Sequence, residues 1–151
     1  MVDVFIMAGG RGKRINKFTK KTQKCMLQIN SKPFLQYQVE KIYNNKFINK
    51  IYILGSYKPD KISEYYKDFK KIVVINEKKR SGTYGALLKY SSLSRQKFLL
   101  VMNGDTFVNY NFKNFFKKKG NIDILLLAKK INDGRIFNSL IIKKKKIKKF
   151  D

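Results

Sequence analysis

Four short apolar runs, separated by stretches with helical spacing, constrain this chain more than any other feature. They lie at residues 2–8 (VDVFIMA), 50–54 (KIYIL), 71–76 (KIVVIN) and 97–103 (KFLLVMN). Their length and near-continuous apolar character read as buried strands. Between them, Phe34, Leu35, Tyr37, Gln38, Val39, Ile42 and Tyr43 give 3–4 spacing, with Ser31 as the expected cap and Pro33 in the first turn. Pro59 to about Phe69 reads as a second helix and about Thr83 to Leu93 as a third. Residues 9–25 carry almost no apolar periodicity and read as a loop or broken helical turn. Strand–helix alternation of this kind predicts an α/β fold, with a mainly parallel sheet and helices on both faces, because parallel strands need crossovers. Ligands of such sheets sit beyond the carboxyl ends of the strands. The loops after the first and fourth strands should therefore converge on one site. Beyond Phe107 the rhythm weakens: 109–119 reads as a short amphipathic helix, 121–130 as a further strand, and 137–151 as a strand, a lysine turn and a returning strand. That last edge is expected to offer a self-association surface.

Composition excludes several classes. Of 151 residues 43% are hydrophobic, enough for one buried core, so the chain is not a disordered polycation despite a net charge of +25. No apolar run approaches the ~18 residues of a membrane span, and the N-terminus does not read as a signal peptide. The expectation is a soluble, cytoplasmic protein. The single cysteine, Cys25, forbids an intramolecular disulfide, and the absence of histidine removes Ser-His and Cys-His hydrolysis as well as ordinary zinc sites. The positive charge comes from 30 Lys and only 5 Arg, alongside abundant Asn, Ile, Tyr and Phe. This reads mainly as solvated surface lysine, because nucleic-acid readers favour the planar fork of arginine. A basic nucleic-acid-binding module remains the third reading, behind the two given below. In any reading the field draws in anionic substrates.

The strongest local signal is Ala8-Gly9-Gly10-Arg11-Gly12-Lys13-Arg14, placed directly after a buried strand. Glycines let a backbone turn sharply and expose N–H groups to anions. With three cations on the same segment, the residues suggest a polyphosphate cradle; a plain structural turn is the alternative. The loop matches neither common phosphate motif, since Lys13 is followed by Arg14 rather than Ser or Thr and position 15 is Ile.

FIMAGGRGKRI (5–15) resembles the LAGGxGTRL signature of the sugar-phosphate nucleotidyltransferases. Four further blocks follow in that family's order. Thr22-Gln23-Lys24-Cys25-Met26 stands where the family has Pro-Lys-Pro, and Asn30 to Tyr37 resembles its Gly-Lys-Pro helix start. EKKRSGTYGA (77–86) is similar to its Leu-Gly-Thr-x-Gly-Ala block, and Val101 to Phe107 is close to its strand-end NGDTF. Within the family the chain looks most like the guanylyltransferases of heptose 1-phosphate and mannose 1-phosphate.

The resemblance implies a Rossmann-like fold in a single domain over 1–151, with 1–108 the nucleotide-binding part and 109–151 the start of an incomplete sugar-binding part. It implies transfer of GMP from GTP to a sugar 1-phosphate, giving a nucleotide-sugar for surface polysaccharide, with Mg²⁺ as cofactor. Ala8, Gly9, Gly10 and Gly12 would offer backbone N–H groups to the nucleotide, and Gly82 and Thr83 would form the base-recognition edge. Arg14 would neutralise the β- and γ-phosphates, and Lys24 would reach the phosphates under attack. Asn103 would orient the strand-end turn, and Asp105 would hold the metal. The sugar phosphate is already an anionic nucleophile, so the missing histidine is no obstacle. Three departures carry expectations. Gln23 and Cys25 replace stiffening prolines, which predicts a looser hold on Lys24, and Tyr84 replaces a small residue beside the base. The chain also stops where about two-thirds of the family domain is complete. It is therefore expected to be either a truncated reading of a longer enzyme or a catalytically impaired nucleotide-binding fragment.

Overall fold

The computed structural model describes residues 1–79, 81–109, 111–112, 114, 124–130, 140–143 and 146–150. Two compact units divide the chain, Met1–Lys118 and Lys119–Asp151. In the first, β1 (Val2–Met7) leads into a 3₁₀ turn (Lys13–Ile15), a four-residue helix α1 (Asn16–Thr19) and a second 3₁₀ turn (Lys24–Met26). A small hairpin, β2 (Gln28–Ile29) and β3 (Lys32–Pro33), precedes α2 (Phe34–Tyr43). Then come β4 (Ile48–Gly55), α3 (Asp60–Tyr66), β5 (Ile72–Asn76), α4 (Gly82–Tyr90) with a 3₁₀ extension (Ser91–Leu93), and β6 (Leu99–Asn103).

The main sheet has the order β5-β4-β1-β6, and every pairing in it is parallel. β1 lies inside it, bonded on both edges, which suits a run that must bury both of its faces. Alternate residues of β1 separate into two cores. Val2, Val4 and Ile6 join Ile51 and Ile53 against Leu35, Val39 and Ile42 of α2 and Ile62 and Tyr66 of α3. Phe5 and Tyr52 stack on the opposite face, ring centroids 4.8 Å apart, and join Leu54 and Ala86 of α4. Helices thus cover both faces, as the alternation of apolar runs predicts.

Two details differ from expectation. Ser31 is not a helix cap: Asn30 and Ser31 have φ of 48° and 60° and form the two-residue turn of the β2–β3 hairpin, and α2 begins after Pro33 without a side-chain cap. An Asn followed by a small residue can hold the consecutive left-handed positions that a tight hairpin turn demands. The expected strand at 121–130 is absent over 124–130, where the described residues carry no regular structure and Ile124 is 76% exposed. An apolar run becomes a strand only when a neighbour takes its ladder hydrogen bonds, and none does so among the described residues. In the second unit, β7 (Leu140–Lys143) and β8 (Lys146–Phe150) pair antiparallel, and the expected lysine turn between them lies outside the described residues. Most of the expected helix at 109–119 falls outside the described residues.

Asp3 is the one acid at the amino end of β1, and it is 2% exposed. Its Oδ1 accepts from Asn49 Nδ2 (2.9 Å) and the Lys50 N–H (3.0 Å), while Oδ2 accepts from the Ser94 hydroxyl (2.6 Å). One carboxylate therefore ties β1 to β4 and to the turn that follows α4. Asp3→Ala strands those donors and should lower unfolding free energy by about 3 kcal/mol in urea titration. Asp3→Asn keeps one acceptor oxygen and should cost less.

Candidate functional site

Because the sheet is parallel, the carboxyl ends of β1, β4, β5 and β6 open on the same edge. There they enclose a cavity of about 270 Å³. Its wall is built by Met7 to Gly10 after β1, Lys24 and Cys25, Leu54 and Ser56 around the end of β4, Glu77 after β5, Gly82, Thr83 and Ala86 of α4, and Asn103 to Asp105 after β6. Ala8, Gly9, Gly10, Lys24, Gly82, Thr83, Asn103 and Asp105, from four separate sequence blocks, therefore come together.

Two glycines explain how backbones approach so closely. Gly104 donates its N–H to the Met7 carbonyl at 2.9 Å, and a Cβ there would meet that same oxygen at 2.9 Å and Ala8 Cα at 3.2 Å. Any side chain at 104 would force the β1 and β6 loops apart. Gly12 has φ of +65°, and a Cβ would press on Thr19 and on Lys24 Cβ at 3.1 Å. Gly12 thus folds the loop back onto Lys24 but does not line the cavity. Arg14 is exposed on the 3₁₀ turn and also stands outside the cavity wall.

Lys24 and Asp105 meet across the cavity, Nζ to Oδ2, at 3.0 Å. Both side chains are nearly half exposed, so the pair adds little to stability; its consequence is to point an ammonium and a carboxylate into one space. Oδ1 of Asp105 has only the Thr106 hydroxyl, at 3.4 Å, among the described residues. α4 begins at the same place, with Gly82 at φ +73°, so its first N–H groups and the positive end of its dipole border the cavity. Seven cations, Arg11, Lys13, Arg14, Lys17, Lys20, Lys21 and Lys24, occupy residues 11–24 with no acid among them. This geometry suits a polyanion carrying a divalent ion.

Sequence reasoning overlooked Ser56 and Glu77 as site residues. Ser56 sits one residue beyond the end of β4 and donates to the Gly9 carbonyl at 3.1 Å. The rule that ligands gather at strand carboxyl ends could have found it. Glu77 is 5% exposed, and its Oε1 accepts from the Ser81 N–H at 3.1 Å and from the Ser81 hydroxyl.

Cys25 is buried in the cavity wall, and burial pushes its thiol up to about 12, with the Asp105 carboxylate adding to the effect. The thiol is thus an apolar filler and stays protonated at pH 8. Iodoacetamide should leave it unmodified in the folded chain and alkylate it in denaturant, as read by mass spectrometry. In the unfolded chain the thiol ionises near its ordinary 9.0. The stability it contributes is therefore complete below that pH and falls as pH rises through the folded value.

Comparison with known proteins bears on the family and the fold. The chain is 36% identical over 104 residues to the bifunctional protein GlmU of Methanococcus maripaludis, which covers 69% of this chain and 25% of that protein. It is 33% identical over 135 residues to D-glycero-alpha-D-manno-heptose 1-phosphate guanylyltransferase of Campylobacter jejuni, covering 87% of this chain and 59% of the relative. The chain thus spans a quarter of the GlmU protein and 59% of the guanylyltransferase. Among solved structures it superposes on HddC from Yersinia pseudotuberculosis, complexed with GMP-PN, with a TM-score of 0.85 and 28% identity over 99% of this chain and 68% of that one. The family model of the nucleotidyl transferases matches residues 3–134, a span that holds the whole of the described cavity, and the chain belongs to that family.

Proposed function

We propose that this chain transfers a nucleoside monophosphate, GMP, from a nucleoside triphosphate to a sugar 1-phosphate, releasing pyrophosphate. The observation that carries the reading is the convergence of Lys24 and Asp105, 3.0 Å apart, on a cavity walled by the glycine loop and the start of α4. The resemblance to the heptose 1-phosphate guanylyltransferase supports a sugar phosphate as acceptor.

In this reaction an oxygen of the sugar phosphate attacks the α-phosphorus, and the bond from that phosphorus to the bridging oxygen of the β-phosphate breaks. The electron pair leaves with pyrophosphate. No proton has to be removed from the nucleophile, so the chemistry rests on bringing anions together and stabilising charge on the leaving group. The exposed N–H groups at Gly9 and Gly10 border the phosphates, and Gly82 and Thr83 border the nucleoside. Lys24 neutralises the phosphates under attack, and the family resemblance assigns the β- and γ-phosphates to Arg14, although that residue stands outside the cavity wall.

Among the described residues no three His, Cys, Asp or Glu cluster as a metal cage. A lone carboxylate still suits Mg²⁺, which keeps several waters and is commonly held by one or two carboxylates plus substrate phosphates. Asp105, whose Oδ1 meets only the Thr106 hydroxyl at 3.4 Å among the described residues, would hold it. Bound there, the ion would supply charge neutralisation at the phosphates.

Glu77 supports guanine. Its Oε2 has no hydrogen-bond partner among the described residues, and its carboxylate can only accept. Guanine presents two adjacent donors, N1–H and the N2 amino group, to such an acceptor, whereas uracil and cytosine place carbonyl or ring acceptors beside their single donor group. The product would be a nucleotide-sugar for surface polysaccharide, made in the cytoplasm. No helix among the described residues is long and apolar enough to cross a membrane.

The test is pyrophosphate release by the purified 151-residue chain with Mg²⁺, five nucleoside triphosphates and a panel of sugar 1-phosphates. Release is expected with GTP and a heptose or mannose 1-phosphate. Lys24→Met and Asp105→Ala should each lower kcat by about 10²-fold or more. Glu77→Gln should erode the preference for GTP by about tenfold, the cost of one mismatched edge contact. Silence with every pair would sink the reading, and Mg²⁺-dependent nucleotide binding without release would leave a nucleotide-binding fragment.

A further inference from the structure

The segment that carries the glycines and Lys24 runs from Ala8 to Leu27 and contains only two 3₁₀ turns and one four-residue helix. A stretch so poor in ladder hydrogen bonds needs something outside itself to hold its shape. Three consecutive residues after β4 do so. The Ser56 hydroxyl donates to the Gly9 carbonyl, and the Arg11 guanidinium lies over the Tyr57 ring, 5.5 Å from its centroid. Lys58 Nζ donates to the Lys20 carbonyl at 2.7 Å, and the Lys58 carbonyl accepts from Gln23 Nε2. The four attachments are spread along the loop from Gly9 to Gln23. Lys58 has φ of +46°, a left-handed conformation that a non-glycine residue keeps only where its surroundings fix it. Here its ammonium and its carbonyl are both engaged.

Gln23 is the attachment nearest to Lys24, and three observations single it out. Its side chain is fully buried. Its own carbonyl accepts from the Met26 N–H at 3.0 Å, closing the 3₁₀ turn on which Lys24 sits. Its Oε1 is buried with no partner. A buried amide oxygen without a donor is costly for stability, so the bond from Nε2 to the Lys58 carbonyl is the side-chain contact that holds Gln23 in place.

We propose that Gln23 is a positioning residue. Tethered to the Lys58 carbonyl, it fixes the turn that presents Lys24 to Asp105 and the cavity. The side-chain tether does what a ring would do at this position, and the expected looseness of Lys24 is replaced by a hydrogen bond to a neighbouring loop. The inference rests on the reading that Lys24 acts on the phosphates.

Gln23→Met keeps the volume and removes the donor. Gln23→Pro also removes the donor but locks φ, and Gln23 already has φ of −70°, a proline value. In the pyrophosphate-release assay, Gln23→Met should lose about tenfold in kcat with KM for the nucleotide within about twofold, because a misplaced group costs rate rather than ground-state binding. Gln23→Pro should recover most of that loss, which a role in stability alone would not produce. A second readout needs no turnover: competitive acetylation of Lys24 by acetic anhydride, traced by mass spectrometry against the exposed Lys61 as internal reference. Lys24 should be modified several-fold faster in Gln23→Met than in the parent chain or in Gln23→Pro. Unchanged kcat and acetylation in Gln23→Met would overturn the proposal, as would equal losses in the Met and Pro variants. If the parent chain releases no pyrophosphate, the transferase reading fails, while the acetylation rates still decide whether Gln23 places Lys24.

Discussion

The enclosed position of β1 is the constraint from which the rest of the first unit follows. A strand hydrogen-bonded on both edges and packed on both faces must be apolar wherever it meets a core, and its neighbours must run parallel to it when each is reached by a helical crossover. Once β4, β5 and β6 share its direction, their carboxyl ends come to one edge, and the loops that leave them are pressed together. The Gly104 N–H to Met7 carbonyl bond is one close point of that convergence. It brings the glycine loop and the Asp105 turn, nearly a hundred residues apart in sequence, to a common wall. At the other end of the sheet Asp3 does the complementary work, tying β1 to β4 and to the turn after α4 with a single buried carboxylate.

The division of labour between the two ends is physical. At the amino end of β1 an acid is buried and fully partnered, so it holds structure. At the carboxyl end Asp105 and Lys24 are half exposed and contribute little to folding. Their value lies in being charged, accessible and close. The surrounding cations of residues 11–24 would repel one another in a compact loop. A bound polyanion would relieve that repulsion, and a field of this sign draws anions in. Glycines and helix N–H groups complete the cradle without adding bulk.

The loop from Ala8 to Leu27 shows how a chain poor in local order can still be held. Its fixed points are contributed by Ser56, Tyr57 and Lys58, which have no sequence proximity to it. The same dependence on neighbours explains the failures of local reading. Ser31 has the chemistry of a helix cap, yet hairpin pairing between Gln28–Ile29 and Lys32–Pro33 claims it for a turn. Residues 124–130 have the composition of a strand, yet no described strand pairs with them, so the apolar run has no ladder to join.

What the sequence determined by itself was the architecture and the motif content. Apolar runs of strand length alternating with 3–4 periodicity have few compact solutions, and the glycine loop and the Asn103-Gly104-Asp105 turn fall at strand carboxyl ends, which a parallel sheet brings to one edge. Lys24 and Asp105 could be named from the blocks that contain them. Only the tertiary structure decided that the two touch, that Gly12 and Arg14 stand outside the cavity wall, that Ser56 and Glu77 belong to it, and that Gln23 is anchored to Lys58. The reason is that motif and periodicity are local properties of the chain. Contacts across a parallel sheet depend instead on which loops its shared direction brings together, and no single stretch of sequence records that.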